Sequence, residues 1–203
     1  MPAASPGASR PTVTRLRHTR PGWVAVELDG SPWRTLPAEA VLRAGLAVGG
    51  KLDRTRAVTL ARERRRLQAL GAAGAALALR ELTRSELDGR LERQGVAPAD
   101  RAATLAIVAG AGLQDDARAA RLRATGMATR CYGDDAIRAD LDGRGVSAAV
   151  AADAIAALEP ESERAERLVA RYGPGVRAAQ ALARRGFAEE IVARAVADLP
   201  DCE

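Results

Sequence analysis

The sequence predicts a mainly α-helical protein, in which repeated helical units follow a small N-terminal β-hairpin or sheet and its helices. Two observations predict this fold class. A leucine stands four residues before a glycine, with an apolar residue after the glycine, in three copies centred on Gly95, Gly145 and Gly186. Strand-favouring residues, in contrast, cluster between positions 12 and 36. An array of helical repeats on a short β segment accounts for both.

The three copies also share apolar positions eight and four residues before the glycine and ten and thirteen residues after it. Positions one turn apart lie on one helix face, so each copy predicts a helix, a glycine turn and a second helix. The glycine supplies the left-handed conformation that ends the first helix. The aligned residues are Leu87, Leu91, Leu105 and Val108; Ile137, Leu141, Ile155 and Leu158; and Ala178, Leu182, Val196 and Leu199.

The spacing of the glycines, 50 and 41 residues, suits a repeat of three helices. Such a unit is too small to bury its own apolar stripe, so neighbouring repeats must stack. Leading helices are expected at about 72–82, 116–130 and 161–172. The predicted organisation is a disordered tail (1–11), a basic segment of β-hairpin and helices (12–71), and three three-helix repeats (72–111, 112–159 and 160–203).

Local signals place the elements of the N-terminal segment. Asp29-Gly30 between apolar runs indicates a hairpin turn in a sheet of two or three strands that packs on the following helices. Asp53 is the expected N-cap of a long helix. Gly71 and Gly74 are expected to break that helix.

Charge divides the chain. The net charge is +5, but residues 1–80 carry +9 and residues 81–203 carry −4. The densest basic cluster contains Arg62, Arg65 and Arg66, and it is the best candidate for binding phosphate or carboxylate groups; the alternative is a solvated face paired with acids such as Glu63. The other candidate partner- or DNA-binding residues are Arg80, Arg84, Arg184 and Arg185.

Two acidic motifs predict helix caps. Thr83 and Glu86 fit a capping box. Asp115 and Asp116 are the paired carboxylates at an expected turn, and they could bind a metal or act as an acid/base pair. Adjacent residues do not share a helix face, and no histidine or third carboxylate is near, so helix capping is favoured.

Trp23 and Trp33 could stack on bases, but their position in a small sheet favours hydrophobic packing. Cys131 and Cys202 are too scattered for a disulfide framework or a zinc site. No catalytic or nucleotide-binding motif is present, so we expect a binding protein that is not an enzyme and has no metal or cofactor. No apolar run reaches membrane-spanning length, and the first ten residues have no apolar signal-peptide segment, so a cytoplasmic protein is expected. We also expect a monomer.

Several segments resemble the RecX family of regulatory proteins, which modulate the recombinase RecA. The resemblance covers residues 12–199. The matching segments are Val13–Leu16 with Val24–Gly30, Ala78–Arg80 with Thr83–Leu87, Gly112–Ala120, Gly133 to Val146, and Leu182 to Phe187.

The resemblance implies three tandem three-helix repeats in an elongated, curved molecule. It also implies binding to RecA and to RecA–single-stranded DNA filaments, with negative modulation of recombinase, ATPase and coprotease activities in DNA repair, recombination and the SOS response. Gln114 and Ala119 depart from the family pattern, which implies looser packing of the second repeat. Asp134-Asp135 replace basic residues, which argues against phosphate contact there.

The alternative is an autonomous DNA-binding helical regulator. Such a protein needs a recognition helix rich in Arg, Asn or Gln. The helices after the repeated glycines are instead rich in alanine with Asp or Glu. The sequence therefore favours a RecA-filament modulator.

Overall fold

The structure is a computed structural model that describes residues 10–197, with side chains to Arg194. The first nine residues of the predicted tail lie outside the described residues. The elements are β1 (Val13–Arg20), β2 (Trp23–Leu28), β3 (Ser31–Pro37), α1 (Ala38–Arg43), α2 (Arg54–Leu77), α3 (Arg84–Arg93), α4 (Pro98–Gly110), α5 (Asp116–Ala128), α6 (Asp134–Gly143), α7 (Ala148–Ala156), α8 (Glu161–Tyr172), α9 (Val176–Arg184) and α10 (Glu189–Ala197).

The chain divides into two compact units. The first unit consists of the chain up to Ala72 together with Val96–Thr104. The second unit consists of Ala73–Gly95 and the chain from Leu105 onward. The predicted fold class, mainly α with a small N-terminal sheet, is confirmed.

The first unit contains an antiparallel sheet in the order β1-β2-β3. Asp29 and Gly30 connect β2 to β3 with positive φ values of 50° and 81°, as a two-residue hairpin turn requires. Val13, Val24 and Leu36 of the sheet share one core with α1 and with Leu60 of α2. The expectation that the sheet packs on the following helices is thus confirmed.

Neither tryptophan belongs to that core. Trp23 is half-buried, and Trp33 is 37% exposed. Valine and leucine fill the space between sheet and helices instead. The predicted role of the tryptophans as the hydrophobic packing of the sheet is therefore wrong for Trp33.

Helix α2 begins where the sequence predicts, because a side-chain oxygen of Asp53 accepts a hydrogen bond of 2.8 Å from the backbone N–H of Arg56. It does not break at Gly71 and Gly74 but continues to Leu77. A glycine inside a helix costs about 1 kcal/mol. Here Ala69, Ala73 and Ala76, which share one face of the helix, are buried. Burial of the alanine face offsets that cost, so a separate helix over 72–82 was a wrong prediction.

In the second unit, the three glycine turns have the predicted conformation, and the apolar positions before them are buried. Gly95, Gly145 and Gly186 have φ values of 75°, 72° and 68°, so each ends its helix in the left-handed region. The six aligned apolar residues that precede these glycines are all 0% exposed: Leu87, Leu91, Ile137, Leu141, Ala178 and Leu182.

The aligned apolar residues in the helix after each repeated glycine are buried to different degrees. Leu105 and Val108 are buried, whereas Ile155 and Leu158 are half-buried. The side chain of Val196 and the whole of Leu199 lie outside the described residues. Ile155 and Leu158 pack against the core of the second repeat.

Gln114, a departure from the family pattern, is only 7% exposed. Its side-chain amide donates hydrogen bonds to the carbonyl of Leu82, at 3.4 Å, and to Asp116, at 2.8 Å. A buried amide with two partners costs little. The expected looser packing is not seen at this residue.

Candidate partner interface

The repeats of the second unit are connected by one recurring contact, which we call the joint. In a joint, the glycine turn of one repeat packs on the N-terminus of the middle helix of the preceding repeat. At the first joint, the hydroxyl of Thr83 donates a hydrogen bond of 2.8 Å to the carbonyl of Arg144. A Cβ atom added to Gly145 would lie 2.6 Å from the Cβ of Ser85, so the close approach requires a glycine.

The second joint repeats this arrangement. The backbone N–H of Gly133 donates to the carbonyl of Arg185 at 2.8 Å, and that of Asp135 donates to the carbonyl of Gly186 at 3.2 Å. A Cβ atom on Gly186 would lie 2.6 Å from the backbone nitrogen of Ala136. Both joints therefore use the residue before the glycine as an acceptor and the glycine as the contact surface.

An acidic side chain from the next repeat completes each joint. Asp116 accepts a hydrogen bond of 2.7 Å from the backbone N–H of Arg84, the first residue of α3. Glu161 accepts one of 2.8 Å from the N–H of Asp134, the first residue of α6. Each carboxylate thus satisfies an unpaired donor at a helix N-terminus, where negative charge is also favoured.

The aspartate pair is divided between two helices. Asp115 is the N-cap of α5 and accepts from the N–H groups of Ala117 and Arg118, at 2.8 and 3.1 Å. The hydrogen bond from Arg118 lowers the pKa of Asp115. Asp116 instead binds the start of α3. The sequence indicated capping, but not that the second carboxylate caps another repeat.

Ion pairs surround the first joint. Arg123 donates to both oxygens of Asp140, at 2.8 and 2.6 Å. Arg144 binds the same carboxylate at 2.6 Å and also pairs with Glu86. The hydrogen bond from Arg123 holds the pKa of Asp140 well below its usual value, with Arg144 acting in the same direction against partial burial.

A buried arginine holds the second joint. Arg164 is 1% exposed and donates to the carbonyl of Tyr132, at 2.6 Å, and to the carboxylate of Asp134. Arg185 lies on the other side, donating to the carbonyl of Arg130, with its guanidinium 5.5 Å from the centre of the Tyr132 ring. Arg185, a predicted partner residue, is therefore bound within the fold.

Three predicted partner arginines lie on α2 of the first unit. Arg62 is exposed and has no ion-pair partner among residues 10–194. Arg65 lies 3.4 Å from Asp100 but remains 55% exposed. Arg66 is half-buried and pairs with Glu63 at 3.3 Å. Arg62 is thus the most available of the three.

The other predicted arginines belong to the second unit. Arg80 pairs with Glu86 at 3.3 Å. The side chains of Arg84 and Arg184 are exposed, and neither has an ion pair within the described part of the chain. These two are free to meet an anionic group of a partner.

The arginines of the sheet were not among the residues predicted from the sequence to bind a partner. Arg15, Arg17 and Arg20 are exposed on β1. The sequence feature that could have identified them is the alternation of Arg15 and Arg17 about an apolar residue, which is typical of a strand with one solvated face.

Two further properties bear on function. Among the described residues, no group of three His, Cys, Asp or Glu side chains is placed to hold a metal ion. No helix in that part of the chain has the length and apolar character needed to cross a membrane.

Known proteins resemble this chain in sequence. It is 39% identical over 130 residues to the Regulatory protein RecX of Chromohalobacter salexigens, which covers 60% of this chain and 86% of the relative. It is 35% identical over 121 residues to the Regulatory protein RecX of Xanthomonas campestris pv. campestris, covering 55% and 75%. No family model matches the chain.

Solved structures share the fold. A crystal structure of regulatory protein RecX superposes with a TM-score of 0.74 at 20% identity, covering 89% of this chain and 96% of the other. The structure of RecX from Lactobacillus salivarius gives a TM-score of 0.56 at 21% identity, covering 64% and 94%. The shared fold agrees with the sequence comparison, in which the chain is 39% identical over 86% of a curated relative. The chain therefore belongs to the RecX family of regulatory proteins.

Proposed function

We propose that this protein binds RecA and RecA–single-stranded DNA filaments and negatively modulates the recombinase, ATPase and coprotease activities. The observation that carries the proposal is the 39% identity over 86% of a curated RecX protein. The setting is DNA repair, recombination and the SOS response in the cytoplasm, with the protein acting as a monomer.

The two joints support this function. Each fixes one repeat on the next through a hydrogen bond to the backbone carbonyl before the glycine and through a carboxylate at a helix N-terminus. Such contacts preorganise an extended surface, which lowers the ordering cost of binding a long partner. In this proposal the helical repeats follow the filament.

Exposed arginines supply the electrostatic part of the interaction. Arg62, Arg84 and Arg184 lack ion pairs in the described part of the chain, and Arg65 is more than half exposed. Arginine binds carboxylate and phosphate groups through paired hydrogen bonds. Both groups are present on a nucleoprotein filament.

The direct test is RecA ATPase activity on single-stranded DNA with the protein added below and at equimolar ratio. We expect progressive inhibition. Full ATPase activity in the presence of folded, equimolar protein would contradict the proposal. A gel-shift assay with duplex DNA and no RecA addresses the autonomous regulator, and tight, sequence-dependent binding would replace the proposal with that alternative.

The arginine assignment has its own test. Replacing Arg62, Arg65 and Arg66 with alanine should weaken inhibition and reduce its dependence on salt, since each phosphate contact adds to the salt slope. The matched control removes three exposed charges from the third repeat, with the variant R171A/R177A/R194A. Equal inhibition by both folded triple variants and the parent protein would contradict the role of the α2 arginines.

A further inference from the structure

The outer face of the N-terminal sheet carries charge and an aromatic ring outside the helical core. Val24 and Val26 point into the core, so the alternate residues of β2 lie on the opposite face. Strand pairing places Arg17 beside Ala25 and Arg20 beside Trp23. Arg15 lies beside Glu27. We call these six residues the sheet face: Arg15, Arg17, Arg20, Trp23, Ala25 and Glu27.

The sheet face is positively charged and largely unpaired. Glu27 is its acidic member and lies 3.9 Å from Arg15, which is 63% exposed. Arg17 and Arg20 are exposed, and neither has a carboxylate partner within residues 10–194. Three arginines against one glutamate leave an excess of positive charge, which complements a polyanion.

The spacing of the charges fits a phosphate backbone. Side chains two residues apart on a strand are separated by about 7 Å, so Arg15 and Arg17 stand about as far apart as successive phosphates of an extended single strand. The sheet face therefore offers an array of cations along the direction of β1. A compact anion would use only one of them.

The aromatic ring favours a nucleic acid among polyanions. The guanidinium of Arg20 lies 4.4 Å from the centre of the Trp23 ring, an arrangement stabilised by a cation–π interaction. Unpaired bases stack on aromatic rings and on guanidinium planes. In a duplex, the faces of the bases are covered by stacking on one another. An acidic protein segment has no base that could stack on the ring.

We propose that the sheet face binds single-stranded DNA, with Arg15 and Arg17 at successive phosphates and an unpaired base stacked on the Arg20–Trp23 pair. This contact is additional to RecA regulation. Only the choice of DNA over RNA rests on the proposed function.

Tryptophan emission provides a specific probe. The chain has two tryptophans, Trp23 and Trp33, both in the sheet segment. Titrating the full chain with an oligothymidine of about 20 nucleotides should change the tryptophan emission. The dissociation constant from this titration should equal the one measured by fluorescence anisotropy of the labelled oligonucleotide. The Trp33→Phe variant, in which Trp23 is the reporter, should retain the change. Binding with unaltered emission in that variant would overturn the proposal.

The variant R17A/R20A removes one phosphate contact, that of Arg17, and the guanidinium half of the stacking pair. It should weaken oligonucleotide binding by about tenfold or more, and the slope of log K against log salt should fall by roughly 0.7, for the one phosphate left without its arginine. The control R171A/R177A removes two exposed charges from the third repeat and should bind nearly as the parent does. Equal affinity of both folded variants would overturn the site. If R17A/R20A does not fold, R17Q/R20Q provides the same measurement.

Two competitor probes distinguish other partners. Poly-glutamate that binds as tightly as the oligonucleotide and changes the emission equally would identify an acidic protein partner and overturn the proposal. An oligouridine of equal length that binds more tightly would overturn the choice of DNA. RecA inhibition by R17A/R20A is measured separately. If this variant no longer binds the oligonucleotide but still inhibits RecA, the result supports a separate site. If the parent protein binds the oligonucleotide but does not inhibit RecA, the result contradicts only the proposed function.

Discussion

The hydroxyl of Thr83 donates a hydrogen bond of 2.8 Å to the backbone carbonyl of Arg144, 61 residues later in the chain. The same oxygen accepts from the N–H of Glu86 at 3.1 Å, while the Glu86 carboxylate accepts from the N–H of Thr83 at 3.0 Å. One side chain therefore begins α3 and also fixes the following repeat on it.

Replacing Thr83 with valine should destabilise the protein more than the loss of a helix cap alone. The cap and the bond to Arg144 together are expected to lower the free energy of unfolding by about 2–3 kcal/mol. Thr83→Ser keeps the hydroxyl and should restore most of the loss. Urea denaturation measures the stability of both Thr83 variants. The control is Ser147→Ala, because the side chain of Ser147 caps only α7. Equal effects of Thr83→Val and Ser147→Ala would contradict the double role.

Two glycines with the same backbone conformation should respond differently to alanine. Gly95 and Gly145 have φ values of 75° and 72°, so alanine costs each about 1 kcal/mol in conformation. No atom lies within 4 Å of a Cβ on Gly95, whereas one on Gly145 would meet Ser85. Gly145→Ala should therefore cost about 1–3 kcal/mol more. Chemical denaturation of the two variants measures the difference, and similar values would contradict the requirement for close approach at the joint.

Removing the buried arginine should be costly. Arg164→Met leaves the carbonyl of Tyr132 and the carboxylate of Asp134 without their donor, with an expected loss of about 3 kcal/mol. Arg167 lies one turn along α8 and pairs with Glu159, but it is 46% exposed. Arg167→Met should leave the unfolding midpoint almost unchanged. Thermal and urea unfolding compare the variants, and a similar small change for both would show that the Arg164 contacts contribute little.

Acid should weaken the first joint. The hydrogen bond from Arg123 lowers the pKa of Asp140 below its ordinary value of 3.8. Burial opposes ionisation of Glu86, but bonds from Thr83 and Arg80 leave its pKa lowered as well. For a lowered pKa, the stabilisation is present above the unfolded-state value and is lost as the pH falls toward the folded-state value.

Asp140→Asn should therefore be less stable than the parent at pH 7 and should approach the parent as the pH falls below about 4. Unfolding free energies from neutral pH to about pH 2.5 measure this convergence. A constant difference between the two proteins across that range would contradict the role of the ionised carboxylate.

Sequence patterns predicted the parts of the fold that depend on local spacing. Leu87 and Leu91 share a helix face, Gly95 supplies a left-handed turn, and Thr83 with Glu86 forms a capping box, and all of these follow from periodicity and cap chemistry. The break at Gly71 was predicted from propensity alone. Burial of the neighbouring alanine face decided otherwise, because tertiary packing outweighs the helix propensity of single residues.

The joints could not be predicted in this way. Asp116 meets the N-terminus of α3 across 32 residues, and Glu161 meets that of α6 across 27. Pairing over such distances depends on how one repeat lies on the next, which no local pattern specifies. The exposed face of the sheet depends in the same way on tertiary packing, because it is set by which residues of β2 enter the core, here Val24 and Val26.

The recurrence of the joint has a consequence for how such proteins can evolve. The second and third repeats each carry a glycine turn and an acidic residue at the start of the leading helix that fit the repeat before them, and the middle helices of the first and second repeats receive these contacts. A duplication of the second repeat therefore carries both matching surfaces with it. The number of repeats, and with it the length of the binding surface, can change by recombination within the gene while the glycine turn and the acidic residue of each joint are kept.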